Sequence, residues 1–497
     1  MNIQQFLEHH GVRANPFAEE DAQTDPVFKD FCIDSTYHPT WDKVYGDPAD
    51  PATSIVFGEK GSGKTAIRLQ IARHLCEYNK SHPQARAYVI EYDDFNPFLD
   101  RFRDRFGARH RRADRVLSDW KLWDHMDAIL SLGVTGLVDR ILETKLTGDP
   151  QTNELNPAEV RALDRHQARD LLLLAACYDQ STAETKKGRW GRLRRKVRYH
   201  AWLAQWDLAL AVAGTLAAFG LVVYLQNWHW LESPWIYLAA ASAWLPWLAR
   251  FAQRWRLASG VARNVRVGKH ATHPLRRILM KFRAADLAGQ PLPRKQRTDD
   301  RYELLAKFQG ILKTLGFHGI VVLVDRVDEP HLINGSVEQM RALLWPMLDN
   351  KFLKHPGIGF KLLFPIELSQ YIDREDRDFY QRARLDKQNM IPSLEWTGEA
   401  LYDVASSRLR ACAMPGSSPA LRDLFDPAIS DRRLIDAFRG LRVPRHLFKF
   451  MYRLLVAHAN AYTDEAPSWT ISSERFESAL ALYSRDQDAF DRGLRAG

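Results

Sequence analysis

Cysteine is scarce, and what there is does not cluster. Only Cys32, Cys76, Cys177 and Cys412 occur in 497 residues, and no two stand in a Cys-x-x-Cys spacing. Neither a disulfide framework nor a zinc ligand set is indicated, and a reducing compartment suits most of the mass. Internal repeats and low-complexity tracts are absent as well. The opening residues, Met1-Asn2-Ile3-Gln4-Gln5, carry no basic stretch leading into an apolar run, so a cleaved signal peptide is not expected.

Acidic residues number 61 against 70 Lys and Arg, for a formal charge of +9. A basic balance points first to nucleic acid, but its distribution argues otherwise. Eight Lys/Arg fall between Lys186 and Arg198 and six between Arg250 and Lys269, and those fourteen exceed the whole excess. The rest of the chain is net acidic, and nucleic acid is not expected as a partner. Arg101–Arg115 holds seven arginines, but Asp100, Asp104 and Asp114 interleave, so it reads as a solvated helix face.

The two basic stretches flank the most apolar part of the chain. Leu208–Leu225 contains no charge in 18 residues. A span needs about 20 apolar residues to cross roughly 30 Å of hydrocarbon, and Trp206, Gln226 and Trp228 extend the run to that length. A second stretch, Pro234–Ala249, is shorter, and Pro246 should bend its last turn. It reaches Phe251 only if Arg250 snorkels to the interface. The connector Asn227–Ser233 has no Lys or Arg. The charge asymmetry therefore predicts a hairpin with spans at about 207–226 and 234–251, both basic flanks in the cytoplasm and the connector outside. Trp202, Trp206, Trp228, Trp230, Trp235, Trp244 and Trp247 cluster near the ends as an aromatic belt. The expected partner there is membrane lipid, with anionic headgroups at the basic flanks.

Upstream, Ser54-Ile55-Val56-Phe57 reads as a strand. It runs into Gly58-Glu59-Lys60-Gly61-Ser62-Gly63-Lys64-Thr65, a full match to G-x-x-x-x-G-K-[ST]. Ala66 to Leu75 then has helical periodicity. Strand, loop and helix in this order make a P-loop: backbone N–H groups curl around phosphates at a helix N-terminus. Lys64 is expected on the β- and γ-phosphates, and Thr65 on Mg²⁺. No guanine-reading Asn-Lys-x-Asp motif occurs, so ATP is the expected nucleotide.

Such a site needs a carboxylate at another strand end. Ile320–Val324 is five apolar β-formers running into Asp325, the Walker-B aspartate and second metal ligand in this reading. The next residue is Arg326, where many ATPases place a water-polarising glutamate. Asp328 or Glu329 is expected to take that role, and the pattern does not choose between them; otherwise hydrolysis is slow. Ala87–Tyr92, before Asp93-Asp94, and Phe360–Phe364, before Pro365, read as further strands. The latter occupies a sensor position, where Glu367 is the available polar residue. Pro444-Arg445 opens a helix continuing through Ala459, and Arg445 is expected over the γ-phosphate. Arg374, Arg377, Arg382 and Arg384 are candidates for an arginine donated to a neighbouring subunit.

This layout resembles the KAP family of membrane P-loop NTPases, in which a pair of transmembrane helices lies between Walker A and Walker B. The departure is Asp325-Arg326-Val327-Asp328-Glu329, where the family usually shows adjacent aspartates. Asn15-Pro16-Phe17 is similar to the segment that precedes the P-loop in ExeA-like and ORC-like AAA+ ATPases and commonly lies near the adenine. Both likenesses imply the additional-strand class of P-loop ATPases, an α/β fold with a mostly parallel sheet and a C-terminal helical lid, and the first also implies the inserted two-helix transmembrane hairpin. With the basic flanks inside, the expected location is the inner (cytoplasmic) membrane of a bacterium, with both termini cytoplasmic. Four regions follow: 1–145 with Walker A, a helical insertion at 146–275, 276–392 with Walker B, and a lid at 393–497. The expected activity is binding and hydrolysis of Mg²⁺·ATP to drive a conformational or assembly switch in a homo-oligomer with an unknown protein client. Defence or stress signalling is implied by the resemblance. The alternatives are a membrane-tethered nucleic-acid-handling ATPase and a nucleotide-binding scaffold with little turnover.

Overall fold

Among the described residues, five runs become strands: β1 (Ser54–Gly58), β2 (Arg86–Tyr92), β3 (Phe317–Val324), β4 (Ile358–Pro365) and β5 (Asn389–Ile391). The structure, a computed structural model, describes residues 1–107, 111–142, 155–182, 184–201, 204 and 206–491. All strands pair in parallel, in the order β2-β3-β4-β1-β5. β1 and β4 are buried along their whole length, which is why they read as continuous apolar runs rather than alternating ones. The fold is therefore α/β with a five-stranded parallel sheet. β5 gives no sequence signal because three residues are too few to show a period.

Side chains alternate between two cores. Val56, Val89, Val321, Leu323 and Leu363 meet Ile67, Ile71 and Leu75 of the helix Lys64–Ser81 on one face. Ile55, Phe57, Ile90, Val322 and Val324 face the other side. There they share a core with the helices Leu122–Leu142, Arg165–Tyr178 and Asp299–Thr314. Helices from the region between β2 and β3 thus help to cover the sheet. The expected boundary near 145 lies outside the described residues. A third core joins the C-terminal helices Gly398–Ala411, Asp431–Leu441, Pro444–Asn460 and Ser473–Asp491 to Phe6, Leu7 and Phe17 from the N-terminus.

Among the described residues, one helix is long and apolar enough to cross a membrane: Trp206–Tyr224, 19 residues, with only 17% of its apolar window buried. The second expected span is not one helix. It breaks at Ala243–Trp244 into Pro234–Ser242 and Leu245–Asn264. Pro246 is the physical reason: it fits the first turn of a helix and lacks the N–H that a continuing one requires. Arg250 does not snorkel. It is buried, pairs with Asp207 at 2.5 Å and donates to the carbonyls of Met280 and Phe282. The start of Trp206–Tyr224 is thereby clamped to Leu245–Asn264 and to the segment after Thr272–Leu279. Near the middle of Trp206–Tyr224, a Cβ on Gly214 would sit 2.8 Å from Ala243 Cβ, a small-residue contact of the kind that lets two apolar helices approach.

The basic flanks are also less exposed than their charge suggests. Arg189, Arg250, Arg254 and Arg266 are buried. Arg189 pairs with Asp139 and Asp179, and Arg266 with Asp119 and Asp124. Trp206, Trp228, Trp230 and Trp235 are exposed; Trp202 lies outside the described residues. Arg101–Arg115 is not a single helix. The helix Asn96–Arg103 ends there and Ala113–Ser118 begins, while Arg105 donates to the carbonyls of Ala262, Arg263 and Val265. Arg109 lies outside the described residues.

Candidate functional site

The carboxyl ends of all five strands converge on one edge, and the order β2-β3-β4-β1-β5 places the switch in winding direction at β1, where open parallel sheets hold their ligands. Gly58 ends β1. Glu59 and Lys60 follow, then Gly61 at φ +90° and Gly63 at φ +95°. These left-handed values are why glycine is required at both positions. Gly63 is the N-cap of the helix whose first two residues are Lys64 and Thr65. Ser62 donates its N–H to the Glu59 carbonyl at 3.1 Å, closing the turn. Its own hydroxyl is buried with no hydrogen-bond partner.

The loop is held from outside. Trp396, five residues past β5, donates its indole N–H to the Ser62 carbonyl at 2.9 Å. Arg445 N–H approaches the Gly61 carbonyl at 3.4 Å, and a Cβ on Gly61 would lie 2.5 Å from Arg445 Cβ. The C-terminal helix Pro444–Asn460 therefore starts against the loop, with Pro444 in its first turn.

Lys64 Nζ donates to the carbonyls of Gly58 at 2.7 Å and Glu59 at 2.9 Å. Burial lowers its pKa, against the pull of Asp325, Asp328 and Glu367. Thr65 Oγ1 donates to Asp325 Oδ2 at 2.9 Å, joining residues 260 apart in sequence. Asp325 is 1% exposed. Burial raises its pKa, opposed first by Arg68. Both directions come from the same cause, charge in a poorly solvated cleft.

Arg326 adopts φ +57°, a strained value for a non-glycine residue. Its guanidinium pairs with Glu329 and donates to Gln23 Oε1 at 2.9 Å. Glu329 is thus committed to Arg326, whereas Asp328 exerts its charge on Lys64. Glu367 begins the helix after β4 and also acts on Lys64. Arg374, Arg377 and Arg382 are exposed, Arg384 is half-buried, and none of the four lines this cleft.

Three contributors escaped the sequence. Arg68, one turn beyond Lys64, is 3% exposed and contacts Glu91, Asp93 and Asp325. Its spacing from Lys64 was a usable signal. Trp396 gave none. The N-terminal segment forms the other wall. Arg408 donates to the Pro16 carbonyl, pairs with Asp25 at 2.6 Å and lies over the Phe448 ring. Asn15-Pro16-Phe17 accordingly packs on the C-terminal helices.

The donor set fits a nucleoside triphosphate with Mg²⁺. Two left-handed glycines, an orphaned buried hydroxyl, a buried ammonium and a helix N-terminus suit phosphate. The Thr65–Asp325 oxygen pair suits a hard cation. No protein-family model matches the chain, and neither does any curated protein or solved structure.

Proposed function

We propose that the chain is a membrane-anchored P-loop ATPase, similar to the KAP family, that binds and hydrolyses Mg²⁺·ATP to drive a conformational or assembly switch. The carrying observation is the Thr65 Oγ1–Asp325 Oδ2 contact at 2.9 Å. It joins the metal-binding hydroxyl of a full G-x-x-x-x-G-K-[ST] match to a carboxylate at the end of a different strand. Strand order supports the same reading, because β4 intervenes between β1 and β3, as the additional-strand class of these ATPases implies.

In this reading the backbone N–H groups of Glu59 to Lys64 bind phosphate oxygens. Lys64 exchanges its two carbonyl partners for the β- and γ-phosphates, and Thr65 and Asp325 hold the Mg²⁺. The metal, when bound, neutralises charge on the β- and γ-phosphates. Arg445, fixed against Gly61, reports the γ-phosphate to the C-terminal helices, which act as a lid. Asp328 and Glu329 are the two carboxylates that the sequence offers for orienting water. The hairpin anchors the chain in a bacterial inner membrane. Its second limb crosses as two helices joined at Ala243–Trp244, with both termini cytoplasmic. Exposed Arg374, Arg377 and Arg382 suit donation to a neighbouring copy in a homo-oligomer. Defence or stress signalling toward a protein client rests on the family likeness.

One observation favours a second reading, a nucleotide-binding scaffold with little turnover: Arg326 occupies the usual glutamate position and ties up Glu329. A nucleic-acid-handling role draws less support, since four of the fourteen flanking cations are buried. Steady-state phosphate release by the full chain in nanodiscs separates the first two. Turnover in the wild type that disappears in Lys64→Ala is the expected result. Tight ATP binding without turnover would leave the scaffold.

A further inference from the structure

Glu329 is committed to Arg326, and Asp328 and Glu367 act on Lys64, the side on which a triphosphate would repel them. A further carboxylate stands at the neighbouring strand end, on the other side of Asp325. In the parallel register Tyr92 lies beside Val324, so Asp93 and Asp325 follow as neighbours at adjacent strand ends, about 4.8 Å apart by strand spacing. One buried guanidinium serves both. Arg68 Nη1 lies 2.9 Å from Asp93 Oδ2, and Nε lies 3.4 Å from Asp325 Oδ2. Glu91 shares Nη1 at 2.9 Å from the outer side of β2. Asp325 is closed to solvent and its Oδ2 accepts from Thr65, whereas the Asp93 side chain is 21% exposed. Asp93 thus keeps contact with solvent where Asp325 has none, one guanidinium away from it.

The geometry points to Asp93 as the catalytic carboxylate that orients the attacking water, with Arg68 as the residue that positions it; this rests on the ATPase reading above. The water oxygen bonds to the γ-phosphorus as the bond from that phosphorus to the β,γ-bridging oxygen breaks. The bridging electron pair leaves on ADP. The water proton passes to Asp93 and then to solvent, so ATP and water give ADP, phosphate and a proton. Arg68 holds Asp93 in one rotamer and compensates two carboxylates that would otherwise repel at this distance.

The test is steady-state kinetics on the full chain in nanodiscs, with trinitrophenyl-ATP binding measured on the same samples. Asp93→Asn is expected to lose about 100-fold in kcat, the scale of a lost general base, with nucleotide Kd within about threefold. Asp93→Glu restores the carboxylate and should recover part of the rate, which a purely structural loss would not allow. Arg68→Lys should lower kcat more than it raises KM. The inference is overturned if Asp93→Asn keeps wild-type turnover, or if Asp328→Asn or Glu329→Gln falls further than Asp93→Asn does. A wild type that neither binds nor turns over nucleotide overturns the parent reading too, so the two failures are distinguishable.

Discussion

At the scale of residues, the loop is shaped by positions where only glycine fits. Gly61 combines φ +90° with a Cβ position 2.5 Å from Arg445 Cβ. Gly61→Ala should cost about 1–2 kcal/mol for the left-handed backbone alone, and the overlap should push the Pro444–Asn460 helix off the loop. A lower thermal midpoint together with weaker ATP binding is the expected readout. Lys361, far from this cleft on β4, carries a different signature. Its ammonium is 2% exposed and donates to the carbonyls of Tyr45 and Ala52, both at 2.9 Å. Burial lowers it from 10.5 to about 8. Between those values the unfolded chain binds more protons than the folded one, so stability rises with pH across the window. Below pH 8 both states are protonated and the penalty is complete, at most ~3 kcal/mol given 1.36 kcal/mol per unit. Denaturant titrations should show this rise between pH 8 and 10.5 in the wild type, and Lys361→Met should flatten it.

At the scale of elements, the apolar helix Trp206–Tyr224 and the helix Leu245–Asn264 are held together, and to their neighbours, by charge. Asp207 and Arg250 face each other between them, both buried, and Arg250 also caps two carbonyls at the end of the neighbouring helix Thr272–Leu279 and just beyond. Removing one partner of a buried pair leaves the other uncompensated, which costs about 3–5 kcal/mol. Asp207→Ala should therefore lower the unfolding midpoint in detergent by several degrees more than Glu232→Ala, whose residue is exposed in the connector. Equal midpoints for the two variants would mean that the pair is not a clamp.

At the scale of the whole molecule, the cleft is closed by three parts of the chain that are remote in sequence: the loop after β1, the segment around Asp25, and the helix beginning at Pro444. Nucleotide that bridges them should order all three together. The exposed arginines beyond β4 lie outside the cleft of their own subunit, so a shared site between copies would couple activity to assembly. Phosphate release per subunit should then rise with protein concentration in a dilution series. A rate per subunit that stays flat would argue for a site complete within one chain.

Residues 54–65 and 320–325 were legible because the P-loop match and the buried strands leave local marks: glycines at fixed spacing, and apolar runs ending in a single carboxylate. The apolar helix Trp206–Tyr224 was legible for a similar reason, since 18 uncharged residues form a local property. Other features depend on what meets in space. The fate of Arg250 was set by Asp207, 43 residues away; the break at Ala243–Trp244 by Pro246 and the close contact with Gly214; and the commitment of Glu329 by the backbone turn at Arg326. Trp396 joins the cleft, and Asp93 meets Asp325 across Arg68, through strand order and chain crossing, which no window of sequence contains. The sequence by itself determined which segments match the phosphate-loop pattern and which apolar runs become buried strands, because both are patterns of residue types at short spacing. Only the tertiary structure decided which charges pair, Arg68 with Asp93 and Asp325 and Arg250 with Asp207 among them, because pairing of buried charges depends on distances between elements far apart in the chain.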